Sequence, residues 1–198
     1  PSELESFSRY CGYVTTPVPR RGPEPSSLPG SGEARSRPLV LGTTGGGEDG
    51  LRVLETFVDA SEGAPWDAVA VTGPQLSKRE AGSLRRRADS AGVALRTFVP
   101  ELQSWLSAVD AVVCMGGYNT LSEILVRGTP AVCVPRTVPR REQLIRARAL
   151  NALGLLQVVE PDRLVQSTLR GEIEVALTRS RPALARAARK VLRFDGAA

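Results

Sequence analysis

Histidine is missing from all 198 residues. With it go any Ser-His-Asp triad, any histidine general base and most zinc sites. No Asp-x-Asp pair occurs either, so a familiar magnesium ligand for a nucleotide diphosphate is lacking and no metal is expected. Lysine is nearly absent: of the 26 basic residues, all but Lys78 and Lys190 are arginine. That bias, with abundant Ala, Gly, Val and Leu, reads as GC-rich coding. Aromatic residues make up only 5%, and the basic residues are scattered, which argues against nucleic acid as a partner. The net charge of +5 suits anionic small ligands or an anionic membrane surface. No run of 18 apolar residues is present, so no membrane-spanning helix is expected. The cysteines are three, Cys11, Cys114 and Cys133, without a CxxC pair; they read as reduced structural thiols of a cytoplasmic protein. No signal peptide is visible. The start at Pro1, without methionine, gives the expectation of a piece of something longer.

What is present is regular. Residues 1–37 hold Tyr10 and Tyr13, then five prolines from Pro17 to Pro29 among Gly and Ser, the composition of a connector or flexible segment. From residue 38 onward, short apolar strands alternate with helical patterns. Strands are expected at Pro38–Thr44, Asp67–Thr72, Val93–Val99, Ala111–Met115, Ala131–Pro135 and Leu155–Val159. Helices are expected at Leu51–Ser61, Ser77–Ala91, Leu102–Val109, Tyr118–Arg127 and Arg141–Leu153, the last closed by Gly154. Helical sequence then runs from about Asp162 to Leu177 and from Pro182 to Phe194. Strict alternation implies parallel βαβ units with right-handed crossovers. The fold class is therefore α/β, a Rossmann-like doubly wound parallel sheet of about six strands in a domain over 38–198. Ligands of such sheets bind beyond the carboxyl ends of the strands.

Three strand-to-helix turns carry chemistry, all at that edge. Thr44 to Gly50 is glycine-rich, and Gly45, Gly46 and Gly47 can bring backbone N–H groups to phosphate, although no Walker or Gly-x-Gly-x-x-Gly pattern is present. Gly116 and Gly117 let the chain turn tightly and let a ligand approach it. Asn119, Thr120 and Ser122 follow at a helix start whose free N–H groups suit phosphate, and Glu123 can accept hydrogen bonds from a ribose diol. The third turn runs from Arg136 to Gln143. Arg136, Arg140 and Arg141 can offset pyrophosphate charge, and Glu142 and Gln143 can meet sugar hydroxyls. Phe98-Val99-Pro100 ends another strand, where backbone can meet a flat base.

Together these residues resemble the donor-binding half of GT-B glycosyltransferases, closest to the MurG-like family 28 group, over roughly residues 38 to 194. Gly117-Tyr-Asn-Thr-Leu-Ser-Glu123 is similar to that family's Gly-x-x-Thr-x-x-Glu turn and to the core of the plant natural-product glycosyltransferase box. The resemblance implies a nucleotide diphosphate sugar, usually a UDP-sugar, as substrate, with no cofactor and no metal. It implies Glu123 on the ribose, Asn119 and Thr120 near the phosphates, and Glu142 with Gln143 on the sugar. Val99 backbone would meet uracil, with Leu102 beside it. Three departures stand out: Met115 where the plant box has histidine, Gly47 where MurG-like loops carry serine, and Glu142-Gln143 where they have Gln-Gln.

What the resemblance implies is one half of a GT-B fold: the donor-binding domain of a metal-independent glycosyltransferase. The full enzyme would move a sugar, with N-acetylglucosamine the leading choice, from a UDP-sugar to a hydroxyl acceptor. The catalytic base would lie in an acceptor-binding N-terminal domain, so the isolated chain would bind donor without turnover, and the full protein would associate peripherally with membrane. The alternative is a non-catalytic donor-binding subunit paired with a separate acceptor or membrane subunit. A UDP-sugar epimerase of similar fold is disfavoured by the missing histidine and the short length.

Overall fold

The computed structural model describes residues 12–16, 28, 35–45, 50–100 and 102–196. Among these, the order is β1 (Leu39–Thr43), α1 (Leu51–Ser61), β2 (Asp67–Val71), α2 (Lys78–Ala91), β3 (Ala94–Arg96), α3 (Leu102–Ala108) and β4 (Ala111–Cys114). It continues with α4 (Tyr118–Arg127), β5 (Ala131–Cys133), α5 (Glu142–Ala152), β6 (Gln157–Val158), α6 (Gln166–Leu177) and α7 (Arg181–Val191). All strand pairs are parallel, and the six strands lie in the order β3-β2-β1-β4-β5-β6. The strand order reverses between β1 and β4, which opens a crevice at their carboxyl ends. The expected doubly wound sheet is present.

Both faces of the strands are apolar because both are covered. Successive side chains point to opposite faces. Val40, Val113 and Val132 join one cluster with Leu54, Phe57 and Val58 of α1, Leu84 of α2 and Leu169 and Ile173 of α6. Leu39, Leu41, Val112 and Cys133 join the other, with Trp105 of α3, Leu121 and Ile124 of α4, Leu150 of α5 and Ala188 of α7. Phe57 is fully buried and lies directly on β1: a Cβ added at Gly42 would stand 2.5 Å from its ring. Burying such a side chain contributes about 1.5–3 kcal/mol. Leu28, inside the proline-rich stretch, is buried in the second cluster.

The edges differ from the sequence reading in several places, β6 (Gln157–Val158 against Leu155–Val159) and α7 (Arg181–Val191 against Pro182–Phe194) among them. β3 ends at Arg96, not Val99, because its partner β2 ends opposite at Val71, the last bond running from the Thr72 N–H to Arg96 O, and the chain bends at Thr97. The helical sequence after Asp162 breaks into a 3-10 turn at Pro161–Arg163 and then α6, with Val165 extended at φ −133° between them. β5 stops at Cys133 and leaves Val134 and Pro135 to the following loop. Gly154 closes α5 at φ 68°, as expected of a left-handed glycine. No helix among the described residues is long and apolar enough to cross a membrane.

Residues 12–16 pack back onto the domain. The Tyr13 N–H donates to Arg193 O at 2.8 Å, and the Gly196 N–H donates to Tyr13 O at 3.2 Å. The Tyr13 ring stacks on Tyr118 at 5.3 Å between centroids, and Phe194 lies 5.8 Å away on a tilt. Residues 12–16, the first residue of α4 and the segment after α7 are thus tied into one aromatic cluster.

Candidate functional site: the carboxyl edge at β1, β4 and β5

Neighbouring strands β1, β4 and β5 each hand over to a helix at the same edge, so α1, α4 and α5 all start there. None of the three has a capping side chain at its N-cap. The N-caps are Gly50, Gly117 and Arg141, and no side-chain hydrogen bond closes any of them. α2 starts at that edge too, farther from the reversal, and has a full capping box from Ser77 and Glu80. Among the described residues, the helix starts around the crevice therefore leave first-turn N–H groups uncapped by an N-cap side chain, with positive dipole ends where an anion can use them.

The turn between β4 and α4 is tight and touches the next turn. A Cβ added at Gly116 would stand 2.9 Å from Gln143 Cβ and 3.2 Å from Gln143 O, so no larger residue fits. Gly117 is open, with nothing within 4 Å of an added Cβ, and its ordinary φ of −61° suits any residue. Arg146 of α5 donates to Gly116 O at 2.7 Å, with its guanidinium 5.8 Å from the Tyr118 ring centroid. This places a cation beside the glycine pair. Asn119 is exposed and Thr120 half-buried on the first turn, whereas the Ser122 hydroxyl is engaged with Tyr118 O at 2.8 Å.

The other expected residues fall around this turn. Gln143 is 9% exposed, and its Oε1 accepts from the Arg136 N–H at 3.1 Å; it shapes the loop after β5 and leaves its NH2 group to donate. Glu142, Arg140 and Arg141 are exposed and Arg136 half-buried. Val99 is buried in the cluster that holds Leu121, and half-buried Leu102 packs against it. Gly45 has φ 68° at the end of β1, while Gly46 and Gly47 lie outside the described residues. Thr43 and Thr44 bring two buried hydroxyls to that strand end without a hydrogen-bond partner among the described residues. Leaving such a group unsatisfied costs about 1–3 kcal/mol, which a water or ligand oxygen recovers.

Glu123 is the most engaged residue of the site. Its Oε1 accepts from the Thr16 N–H at 2.8 Å and its Oε2 from the Thr16 hydroxyl at 2.9 Å. Arg127, one turn later and buried, forms an ion pair with Oε2 and donates to Thr16 Oγ1 at 3.0 Å and Ser107 Oγ at 3.1 Å. Beside the turn, a cleft of about 340 Å³ opens between the start of α1 and the loop after β5, lined by Arg52, Met115, Val134, Pro135, Val138 and Leu164 among others. Three of these contributors escape the sequence reading. Arg146 had a signal, lying three residues after Gln143 on one helical face. Arg52 also had one, in the first turn after the glycine-rich loop. Thr16, 107 residues from its partner, had none.

The matching family model is the glycosyltransferase family 28 C-terminal domain, over residues 53–196. The chain belongs to this family. Among curated relatives, the UDP-N-acetylglucosamine--N-acetylmuramyl-(pentapeptide) pyrophosphoryl-undecaprenol N-acetylglucosamine transferase of Anaeromyxobacter sp. (strain Fw109-5) is 30% identical over 160 residues, which cover 78% of this chain and 41% of the relative. Its counterpart from Chelativorans sp. (strain BNC1) is 29% identical over 152 residues, covering 75% and 40%. This family 28 chain thus spans about 40% of the length of such relatives. Among solved structures, the glycosyltransferase VinC in complex with dTDP is 27% identical with a TM-score of 0.60, covering 80% of this chain and 37% of that one. MurG of Acinetobacter baumannii has a TM-score of 0.67 at 18% identity, covering 82% and 48%, a likeness of fold.

Proposed function

We propose that this family 28 domain binds the nucleotide diphosphate end of a sugar donor, in a glycosyltransferase that moves the sugar to a hydroxyl acceptor. One observation carries the reading: three helix starts without capping side chains surround the β1–β4 crevice, with Arg146 held against the glycine pair of the middle one. Diphosphate would sit at the start of α4, on the N–H groups near Gly117, Asn119 and Thr120. Glu123 would take the ribose diol, and the Val99 backbone the base, with Leu102 beside it. The sugar would lie toward Glu142 and Gln143, and Gly45, Gly46 and Gly47 would approach the diphosphate from β1. As the glycosidic bond breaks, charge develops on the leaving diphosphate. The α4 dipole, Arg146 and Arg136 would stabilise it without a metal ion.

The relatives' printed names favour UDP-N-acetylglucosamine as donor, and the dTDP complex of VinC makes a thymidine nucleotide the second reading. The acceptor and the catalytic base would belong to a preceding domain or a separate subunit, with the protein working at the cytoplasmic face. Calorimetric titration with UDP, dTDP, GDP and UDP-N-acetylglucosamine in EDTA tests this. Saturable UDP binding, weaker GDP binding and extra heat from the sugar are expected. Preference for dTDP selects the second reading, and no binding to any of the four refutes both.

A further inference from the structure

The Glu123 carboxylate receives two donors from one residue, the N–H and the hydroxyl of Thr16, one on each oxygen. Two adjacent donors on the two oxygens of one carboxylate is the pattern that a vicinal diol makes. Arg127 holds the far side. Its side chain is 2% exposed, against 16% for Glu123, so the carboxylate cannot swing away without uncovering a buried cation. Thr16 belongs to the 12–16 segment, which Tyr13 anchors by stacking on Tyr118 and Val14 by its N–H on the Tyr118 hydroxyl at 3.3 Å. Thr16 itself is exposed and lies three residues beyond Tyr13, so it can leave Glu123 while the anchor stays.

We propose that Thr16 is the resting occupant of the diol-binding carboxylate, and that a donor's ribose displaces it while Arg127 keeps Glu123 in place. This rests on the donor reading above and adds a competition to it. Arg127 is a positioning residue, and Thr16 sets the threshold for nucleotide binding. Each ribose that binds frees Thr16 from Glu123. Donor binding is thereby linked to the connector through one shared carboxylate.

The test uses the 198-residue chain. Exchange of the Thr16 amide proton is followed by NMR alone, with saturating UDP and with saturating 2′,3′-dideoxy-UDP, which lacks the diol. UDP is expected to expose the Thr16 amide, and the dideoxy analogue to bind and leave it protected. Thr16→Val is expected to bind UDP about tenfold more tightly, the equivalent of one charge-assisted hydrogen bond removed from the competitor, and to bind the dideoxy analogue unchanged. Arg127→Met is expected to weaken UDP and not the analogue. The exposed Thr16→Val variant keeps the test open should Arg127→Met fail to fold. UDP bound at saturation with Thr16 still protected overturns the competition and leaves the donor reading standing. Failure of UDP to bind overturns the competition, and failure of dTDP, GDP and UDP-N-acetylglucosamine as well overturns the donor reading.

Discussion

Gly116 and Gly117 are neighbours with opposite surroundings, and substituting each by alanine separates folding from binding. The methyl of Gly116→Ala would meet Gln143 Cβ at 2.9 Å, Gln143 O at 3.2 Å and Gln143 Cα at 3.3 Å. Two of these three are backbone atoms, so relief requires moving the start of α5. Overpacking of this kind costs about 1–3 kcal/mol. A shift of Gln143 also weakens its bond to the Arg136 N–H, worth about 1 kcal/mol more. The methyl of Gly117→Ala meets nothing within 4 Å, at a φ that alanine accepts. Reduced freedom of the unfolded chain, worth about 0.4–1 kcal/mol, is then offset by alanine's poorer N-cap preference, so stability should stay close to that of the parent. The assay is urea unfolding followed by fluorescence of the buried Trp66 and Trp105, at constant slope. The same proteins are titrated with UDP. Gly117→Ala should fold well and lose affinity, because its methyl stands where diphosphate approaches the N–H groups of α4. Equal stability of the two variants would refute the packing argument, and full affinity in Gly117→Ala would refute the placement of the diphosphate.

Other outcomes follow from the same geometry. Gly128→Ala should destabilise by at least about 2 kcal/mol in urea unfolding, since its φ is 65° and its added Cβ would stand 2.4 Å from Arg181 O on α7. Arg127→Met leaves Glu123 without its cation and should destabilise by about 3 kcal/mol, with Glu123→Gln in the same background restoring part of the loss. Cys133 and Cys114 are buried neighbours across β4 and β5, and the contact with the Cys114 side chain, with burial, pushes the Cys133 thiol well above its ordinary range. The unfolded thiol ionises first, so this contribution is complete below about pH 8.5 and falls as pH rises beyond it. Stability against pH from 7 to 10 should therefore drop less steeply in Cys133→Ala than in the parent chain.

Much of the architecture was legible because the signals were local. α1 and α4 match the sequence reading at both ends, since glycine stands just before each and Gly128 just after the second. Alternation of apolar strands with helices fixed the sheet's parallel character before any contact was known. β3 was overread because Thr97, Phe98 and Val99 have strand-like side chains, while the partner strand β2 ends at Val71, opposite Arg96, and the pairing stops there. In the site, types and spacings located the three turns, yet not how their side chains are used. Gln143 turns its carbonyl oxygen back to the loop that precedes it, and Arg146, whose spacing from Gln143 was its one signal, places a cation on the glycine pair. Glu123 is held by a residue 107 positions away, a contact that only the folded chain creates.

The central claim is that the β4–α4 turn holds the diphosphate of a sugar donor. Amide-resolved NMR of the isotopically labelled chain, titrated with UDP in EDTA, tests it most directly. Saturable shifts at Gly116, Gly117, Asn119 and Thr120, with a second group at Val99 and Leu102, are the expected result. Saturable shifts confined to residues away from these turns, or none at all, would contradict it.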